Sequence, residues 1–449
     1  MDNFRNLFEE LYESVNGRSI AMASAEARTS KSVRMAESFD ALPSGPQEEY
    51  LIQQQIRPVF GKEGVNDTPI GTHPDFIELE GTSTGTQKHY ICTIFVDIKG
   101  STRLSLLYPL ETVYQFKNAV IKACIETIRS FDGYVHRIMG DAVMAFFGGK
   151  DTDKENAIAD AINCIVVLRA ILEESIKPWM ERNGIDAKDF GFRIGCDFGN
   201  DDEVLWGGFG YKNVGEVSAT GLPVDMASKL QSLAGKNQAM LGQGLLQYVN
   251  WPEKYSEIKK TTKDGSSENL PVVTPNITNS DGSPINYQMR QLAYRKSLEF
   301  SALPRSFRQQ IDGSNVIDHA AISYKCFTVE DDVKSEYISA SSFLEKHVSL
   351  VFVVTSNTRY RINYPLKVVF IKTNHGIDTP EDERDIEQKG KVRYLKKTKI
   401  SAYNKAPVPF ARTELEENTL YRGLHTMKCE IYDANEHLLF RDWIGVMIK

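Results

Sequence analysis

The chain has 449 residues, 41% hydrophobic and 25% charged, with a formal net charge of −7; this is the composition of a soluble globular protein, and the length suits about two or three domains. The acidic balance excludes a nucleic-acid surface over much of the molecule but leaves room for a small anionic ligand at a local basic site. No stretch reaches the ~20 apolar residues of a spanning helix, and the polar start Met1-Asp2-Asn3-Phe4-Arg5 lacks the form of a signal peptide, so a cytoplasmic protein with no membrane partner is expected.

Taken in order, Phe4, Leu7, Phe8, Leu11 and Tyr12 recur at a helical period and predict an amphipathic helix that needs a partner surface. Ala21 to Ser44 is rich in Ala, Ser and charge and reads as a polar helix or a mobile connection. A second helix is expected over about Gln47 to Ile56, and the turn-rich stretch Gly61 to Lys88 places a domain boundary there. Residues 1–87 thus read as a helical segment and linker.

The next region, 88–250, carries the chemistry. Ile91 to Val96 is an apolar, β-branched run that predicts a buried strand, with Asp97 at its carboxyl end before the turn Gly100-Ser101-Thr102. Val113, Phe116, Val120, Cys124 and Ile128 then form one helical stripe, broken at Asp132-Gly133. Tyr134 to Met139 and Ala142 to Phe147 are separated only by Gly140-Asp141, the spacing of a tight hairpin with Asp141 at its tip. A hairpin beside the first strand would bring Asp141 to Asp97, giving converging oxygen ligands for a hard cation such as magnesium bound with a nucleoside triphosphate. Taken singly, Asp97 also fits a turn cap and Asp141 an ordinary turn residue.

Asp153 to Ile176 predicts a second helix ending before Pro178, Phe190 to Phe198 a strand, and Asp201 to Val217 a projecting hairpin. Val224 to Leu233 reads as a helix after Pro223, and Ala239 to Leu241 as the last small strand. Residues 251–314, polar over Lys259 to Gly282, read as a connecting segment. From 315 to 449, the runs Val348 to Val354, Leu366 to Ile371, Met427 to Tyr432 and Leu438 to Met447 predict an all-β sandwich. Within it Lys389, Lys391, Arg393, Lys396, Lys397 and Lys399 make either a face for a nucleotide phosphate or a solvated hairpin. The six cysteines, Cys92, Cys124, Cys164, Cys196, Cys326 and Cys429, contain no CxxC and read as reduced packing residues; no close His/Cys cluster suggests zinc.

Four blocks of residues match a known family in order. Phe95-Val96-Asp97-Ile98-Lys99-Gly100-Ser101-Thr102, Met139-Gly140-Asp141-Ala142-Val143-Met144, Phe192-Arg193-Ile194-Gly195 and Gly221-Leu222-Pro223-Val224-Asp225-Met226-Ala227-Ser228-Lys229-Leu230 resemble the class III nucleotidyl cyclases over residues 88–245. The resemblance implies an α+β fold, with a ferredoxin-like or palm-like sheet and its helices, and the C-terminal region resembles the sensor domains found on some bacterial cyclases. It further implies two Mg²⁺ or Mn²⁺ ions held by Asp97, Asp141 and the carbonyl of Ile98, and a triphosphate approached by Lys99, Gly100, Ser101 and Thr102. Homodimers of the family share each active site between two chains.

The family's base-selecting positions map to Arg137 and Ser218, where adenylyl cyclases carry Lys and Asp. Two donors suit the carbonyls of uracil, although Arg137 also fits an outward-facing hairpin side chain paired with an acidic neighbour. Where the family has a ribose-orienting Asn and a transition-state Arg, this chain has Asp225 and Lys229; their i, i+4 spacing keeps them on one helix face, and the lysine keeps charge without the bidentate fork. The combination resembles the bacterial pyrimidine cyclases of anti-phage defence. The expected activity is conversion of UTP to cyclic UMP, read by a separate effector protein, with cytidylyl or adenylyl cyclase as alternatives. The departures at Asp225 and Lys229 leave a different class open, a pseudocyclase that acts only as a dimeric nucleotide-sensing module.

Overall fold

Ile91–Lys99 forms a central strand because alternate residues can be buried on both of its faces. The structure, a computed structural model, describes residues 4–14, 50–80, 85–211, 214–263, 266–273, 278–397 and 410–449. The expectations for residues 21–44, for Gln47 at the start of the second helix, and for Lys399 lie outside them. Seven strands make the main sheet, in the order Tyr134–Met139, Ala142–Phe147, Ile91–Lys99, Gly191–Gly199, Gln238–Gly242, Met289–Leu292 and Ser256–Glu257. Gly191–Gly199 and Gln238–Gly242 pair parallel, and the neighbours of the central strand run antiparallel to it.

Cys92, Ile94, Val96 and Ile98 face a core shared with the helices Leu110–Ser130 and Lys154–Ile171. All five residues of the predicted stripe are buried there, and large apolar side chains so buried contribute about 1.5–3 kcal/mol each. Ile91 and the partly buried Phe95 face the other way, into a smaller cluster with Phe146, Trp206 and Val217. That cluster is covered by the hairpin Leu205–Tyr211 and Val214–Thr220 and by the helix Leu222–Leu233. The helix lies directly on the sheet because residue 195 is glycine: a Cβ there would stand 2.1 Å from the Ala227 carbonyl oxygen.

Three expectations are corrected. The helix beginning at Lys154 does not stop before Pro178, since a π-helical turn at Leu172–Ile176 resets the register and the proline falls in the first turn of Lys177–Arg182, where its missing N–H costs little. The stretch before residue 88 is not a free linker. Leu51–Ile56 and Arg57–Phe60 pack on the core, Arg57 pairs with Asp132 at 2.6 Å, and Phe76 stacks on Trp206 at 3.9 Å. Likewise residues 251–314 add two further strands of the main sheet beyond Gln238–Gly242, Met289–Leu292 and then the edge strand Ser256–Glu257, together with the hairpin Lys259–Lys263 and Ser266–Leu270. Short polar segments carry no periodicity, so their structure follows from what they pair with.

The helix at residues 4–14 finds its partner within the chain. It buries Leu7, Phe8 and Leu11, with Phe8 edge-on to Trp179 at 5.2 Å and Phe4 against Phe307 at 4.3 Å. The C-terminal region is a sandwich of two sheets. Ile322–Glu330, Val333–Tyr337, Ser349–Asn357 and Phe410–Asn418 face the five-stranded sheet of Phe343–Leu344, Leu366–Thr373, Lys391–Leu395, Gly423–Tyr432 and Leu438–Ile448 across a core that includes Tyr324, Phe352, Phe370 and Phe440. All six cysteines are free and buried. Among the described residues no helix is long and apolar enough to cross a membrane.

Candidate active site

Asp97 sits near the end of the central strand, directly across from Ala142, the residue that follows the hairpin tip. The Ile98 N–H donates to the Asp141 carbonyl at 3.2 Å, so the two acidic residues adjoin as the spacing predicted. Arg193, cross-strand from Asp97, donates from Nε at 2.8 Å and Nη2 at 2.5 Å. Both bonds go to Oδ2, which orients the carboxylate and leaves Oδ1 out of the clamp. Ser101 Oγ donates to Asp141 Oδ2, and Lys117 Nζ lies 4.0 Å from the same oxygen. The side chains of Asp97 and Asp141 are 15% and 30% exposed, open enough for an ion to reach.

Two partly exposed carboxylates on adjoining strands suit a hard divalent cation that completes its shell with water and phosphate oxygens. Among the described residues no cluster of three His, Cys, Asp or Glu side chains is present, so such an ion would take further ligands from substrate or solvent. Lys99 and Thr102 are exposed and Ser101 is buried at the start of the helix Ser101–Leu107. Gly100 has a positive φ of 89°, and a Cβ would stand 2.7 Å from the Asp189 carbonyl oxygen. The glycine is therefore required by the close passage of the chain at Asp189, a reason the sequence did not show.

The two positions expected to select the base lie near a bulge. A register shift between Val135 and Arg137 turns Arg137 outward and buries His136. Arg137 Nη2 pairs with Glu216 Oε1 on the strand Val214–Thr220. Ser218 lies two residues further along the same strand and therefore on the same face, 9% exposed. His136 Nδ1 meets the Gly71 carbonyl at 2.9 Å and must donate to it; burial pulls its pKa down and favours the neutral ring, whose Nε2 has no hydrogen-bond partner among the described residues and lies 4.0 Å from Glu216 Oε1. Arg137 thus takes the form of an outward side chain with an acidic partner, and that partner stands two residues from Ser218.

Asp225 and Lys229 are both exposed on one face of Leu222–Leu233, while Val224, Met226, Ala227 and Leu230 are buried. Among the described residues no hydrogen bond or ion pair joins either to Asp97 or Asp141. Sequence reasoning missed Glu216, His136 and Lys117. The two-residue spacing of Glu216 from Ser218 was its only signal, and Lys117 lies on the polar side of a helix read for its apolar stripe.

Residues 296–449 match the family model described as the Adenylyl/Guanylyl and SMODS C-terminal sensor domain. The chain is 42% identical to a cytidylate cyclase of Escherichia coli, over 100% of this chain and 98% of the relative. It is 32% identical to a cytidylate cyclase of Staphylococcus aureus, covering 88% of this chain and 87% of that one. Among solved structures it is similar to the adenylyl cyclase CyaB from P. aeruginosa, at 19% identity and a TM-score of 0.37, over 46% of this chain and 95% of the other.

Proposed function

Because the chain belongs to the family of these bacterial cytidylate cyclases, and so to the pyrimidine nucleotide cyclases, we propose that it converts CTP to 3′,5′-cyclic CMP and pyrophosphate. The observation that carries the base choice is the pair Arg137 and Glu216. Cytosine presents an amino donor where uracil presents a carbonyl, and a carboxylate accepts from that amino group while a guanidinium donates to the neighbouring ring acceptors. Uracil would set its carbonyl against Glu216. Arg137 and Ser218 alone favoured uracil; the acceptor beside them moves the proposal to cytosine, in line with the names of the relatives.

Two Mg²⁺ or Mn²⁺ ions at Asp97 and Asp141, with the Ile98 carbonyl, would supply positive charge against the triphosphate and acidify the ribose hydroxyl. Arg193 keeps Asp97 aimed, and Ser101 does the same for Asp141. Lys99 and Thr102 at the exposed turn, with Gly100 and Ser101, meet the phosphates. The 3′-oxygen bonds to the α-phosphorus as the bridging oxygen departs with pyrophosphate, and the hydroxyl proton passes to solvent. Asp225 and Lys229 serve the site of a second copy, a reading supported by their exposure and by the apolar surface left at Leu106, Leu110 and Tyr114. By its resemblance to anti-phage cyclases, the product acts as a second messenger for a separate effector.

The test is incubation of the purified protein with each of the four nucleoside triphosphates and Mg²⁺ or Mn²⁺, with products identified by mass. Cyclic CMP as the main product is expected. Cyclic UMP in excess would overturn the role of Glu216 and leave the pyrimidine cyclase standing, and a purine product would overturn the pyrimidine reading.

A further inference from the structure

The bulge that turns Arg137 outward turns its neighbour inward, so an ionisable ring lies behind the carboxylate of Glu216. The His136 side chain is 1% exposed and packs on Phe146 of the adjoining strand, with ring centroids 5.1 Å apart. Its Nδ1 is committed to the Gly71 carbonyl, which fixes the proton of the neutral ring there and leaves a lone pair on Nε2. Nε2 has no donor among the described residues, and the nearby Glu216 Oε1 carries no hydrogen to give it. The same Oε1 pairs with Arg137 Nη2. One carboxylate oxygen therefore stands between a permanent cation and a ring whose charge depends on pH.

The groups around the ring decide what a proton on it does. Burial lowers the pKa of His136, against the pull of the Gly71 carbonyl and with the help of Arg137 on the same strand. His73, from the segment before the central strand, is kept neutral by its own burial, with a pKa of about 4, and Phe146 brings no charge. Glu216 is the acidic group that faces the ring. The ring is thus neutral at neutral pH and gains a proton as the solution turns acidic. That proton turns the Nε2 lone pair into a charge-assisted donor within reach of Oε1.

We propose that His136 is a positioning residue for base choice: the neutral ring leaves Glu216 to accept from the amino group of cytosine, and the protonated ring draws Oε1 inward, away from the base. This rests on the assignment of Glu216 to the cytosine amino group. Preference for CTP is then full at neutral pH and declines as pH falls.

The test is the ratio of kcat/KM for CTP to that for UTP, measured between about pH 5 and pH 8, the range in which a histidine changes charge; titrations that both substrates share cancel in it. In the wild type the ratio should be at least about fivefold higher at the upper end than at the lower. His136→Asn keeps an amide donor for the Gly71 carbonyl and carries nothing in place of Nε2, so its ratio should stay high and change less than about twofold. Glu216→Gln, at a half-exposed position, should give a low ratio that is equally flat. A wild-type ratio that does not move with pH, or a pH dependence that survives His136→Asn or Glu216→Gln, would overturn the proposal and leave Glu216 as the acceptor. Preference for UTP throughout the range would overturn the assignment of Glu216 and the role of His136 with it.

Discussion

Two neighbouring strands, Ile91–Lys99 and Gly191–Gly199, carry an aspartate toward each end of their shared ladder, Asp97 opposite Arg193 and Asp197 opposite Thr93. Asp97 is held by a guanidinium at a partly open edge. Asp197 is fully buried; its Oδ2 accepts from Tyr287 Oη at 2.7 Å, and its Oδ1 from the N–H groups of Phe198 at 2.9 Å and Leu245 at 3.0 Å. One carboxylate is clamped on one oxygen and stays partly open to solvent. The other ties two distant segments to the sheet. The same residue type on the same pair of strands is thus left open to an ion or built into the core according to access and partners.

The contrast breaks first, and by the largest amount, at the open end. Asp141→Ala or Asp97→Ala should lower kcat by at least about a thousandfold, the scale of several kcal/mol of lost charge stabilisation, with little change in the thermal midpoint. Mixing Asp141→Ala with Lys229→Ala chains should restore part of the activity, because a mixed dimer contains one site with both intact halves. Near-normal turnover in either Asp variant would remove the carboxylates from the mechanism, and no recovery after confirmed subunit exchange would place Asp225 and Lys229 outside a shared site. Further along the cleft, Glu216→Gln replaces a carboxylate with a group that can also donate. The preference for CTP over UTP, as the ratio of kcat/KM values, should fall by about ten- to a hundredfold, and an unchanged ratio would assign Glu216 to holding Arg137 alone.

What was legible follows the same division. Asp97, Gly100 and Asp141 lie within short motifs whose geometry is local: a strand end, a tight turn and a hairpin tip can be read from a few consecutive residues. Arg193 stood in a matched block, yet its clamp on Asp97 depends on a register between strands 96 residues apart in sequence. Glu216 needed the bulge at His136 to bring Arg137 to it, and a bulge has no sequence signature here. The last two strands of the sheet, Met289–Leu292 and Ser256–Glu257, are too short to show alternation, so a segment that completes the sheet read as a linker. Four of the nine described sandwich strands were visible because they carry long apolar runs, whereas the shorter or more polar ones, such as Phe343–Leu344, Val333–Tyr337 and Phe410–Asn418, are placed only by their pairing.

The smallest effect concerns the buried end. Burial raises the pKa of Asp197 to about 7 against the downward pull of Tyr287 and the two backbone amides. The unfolded chain has lost that proton above about pH 4, so between pH 4 and 7 the folded protein binds more protons than the unfolded one and this contribution to stability declines as pH rises, vanishing above pH 7. From pH 6 to pH 8 the wild type should therefore lose about 1 kcal/mol through this group. Asp197→Asn keeps an oxygen for the Phe198 and Leu245 N–H groups and an amide toward the Tyr287 hydroxyl, but cannot titrate. Unfolding measured at pH 6 and pH 8 on both proteins should show the variant's stability changing less by that amount. Equal changes would mean that Asp197 is ionised in the folded protein across this range, with Tyr287 and the amides outweighing its burial.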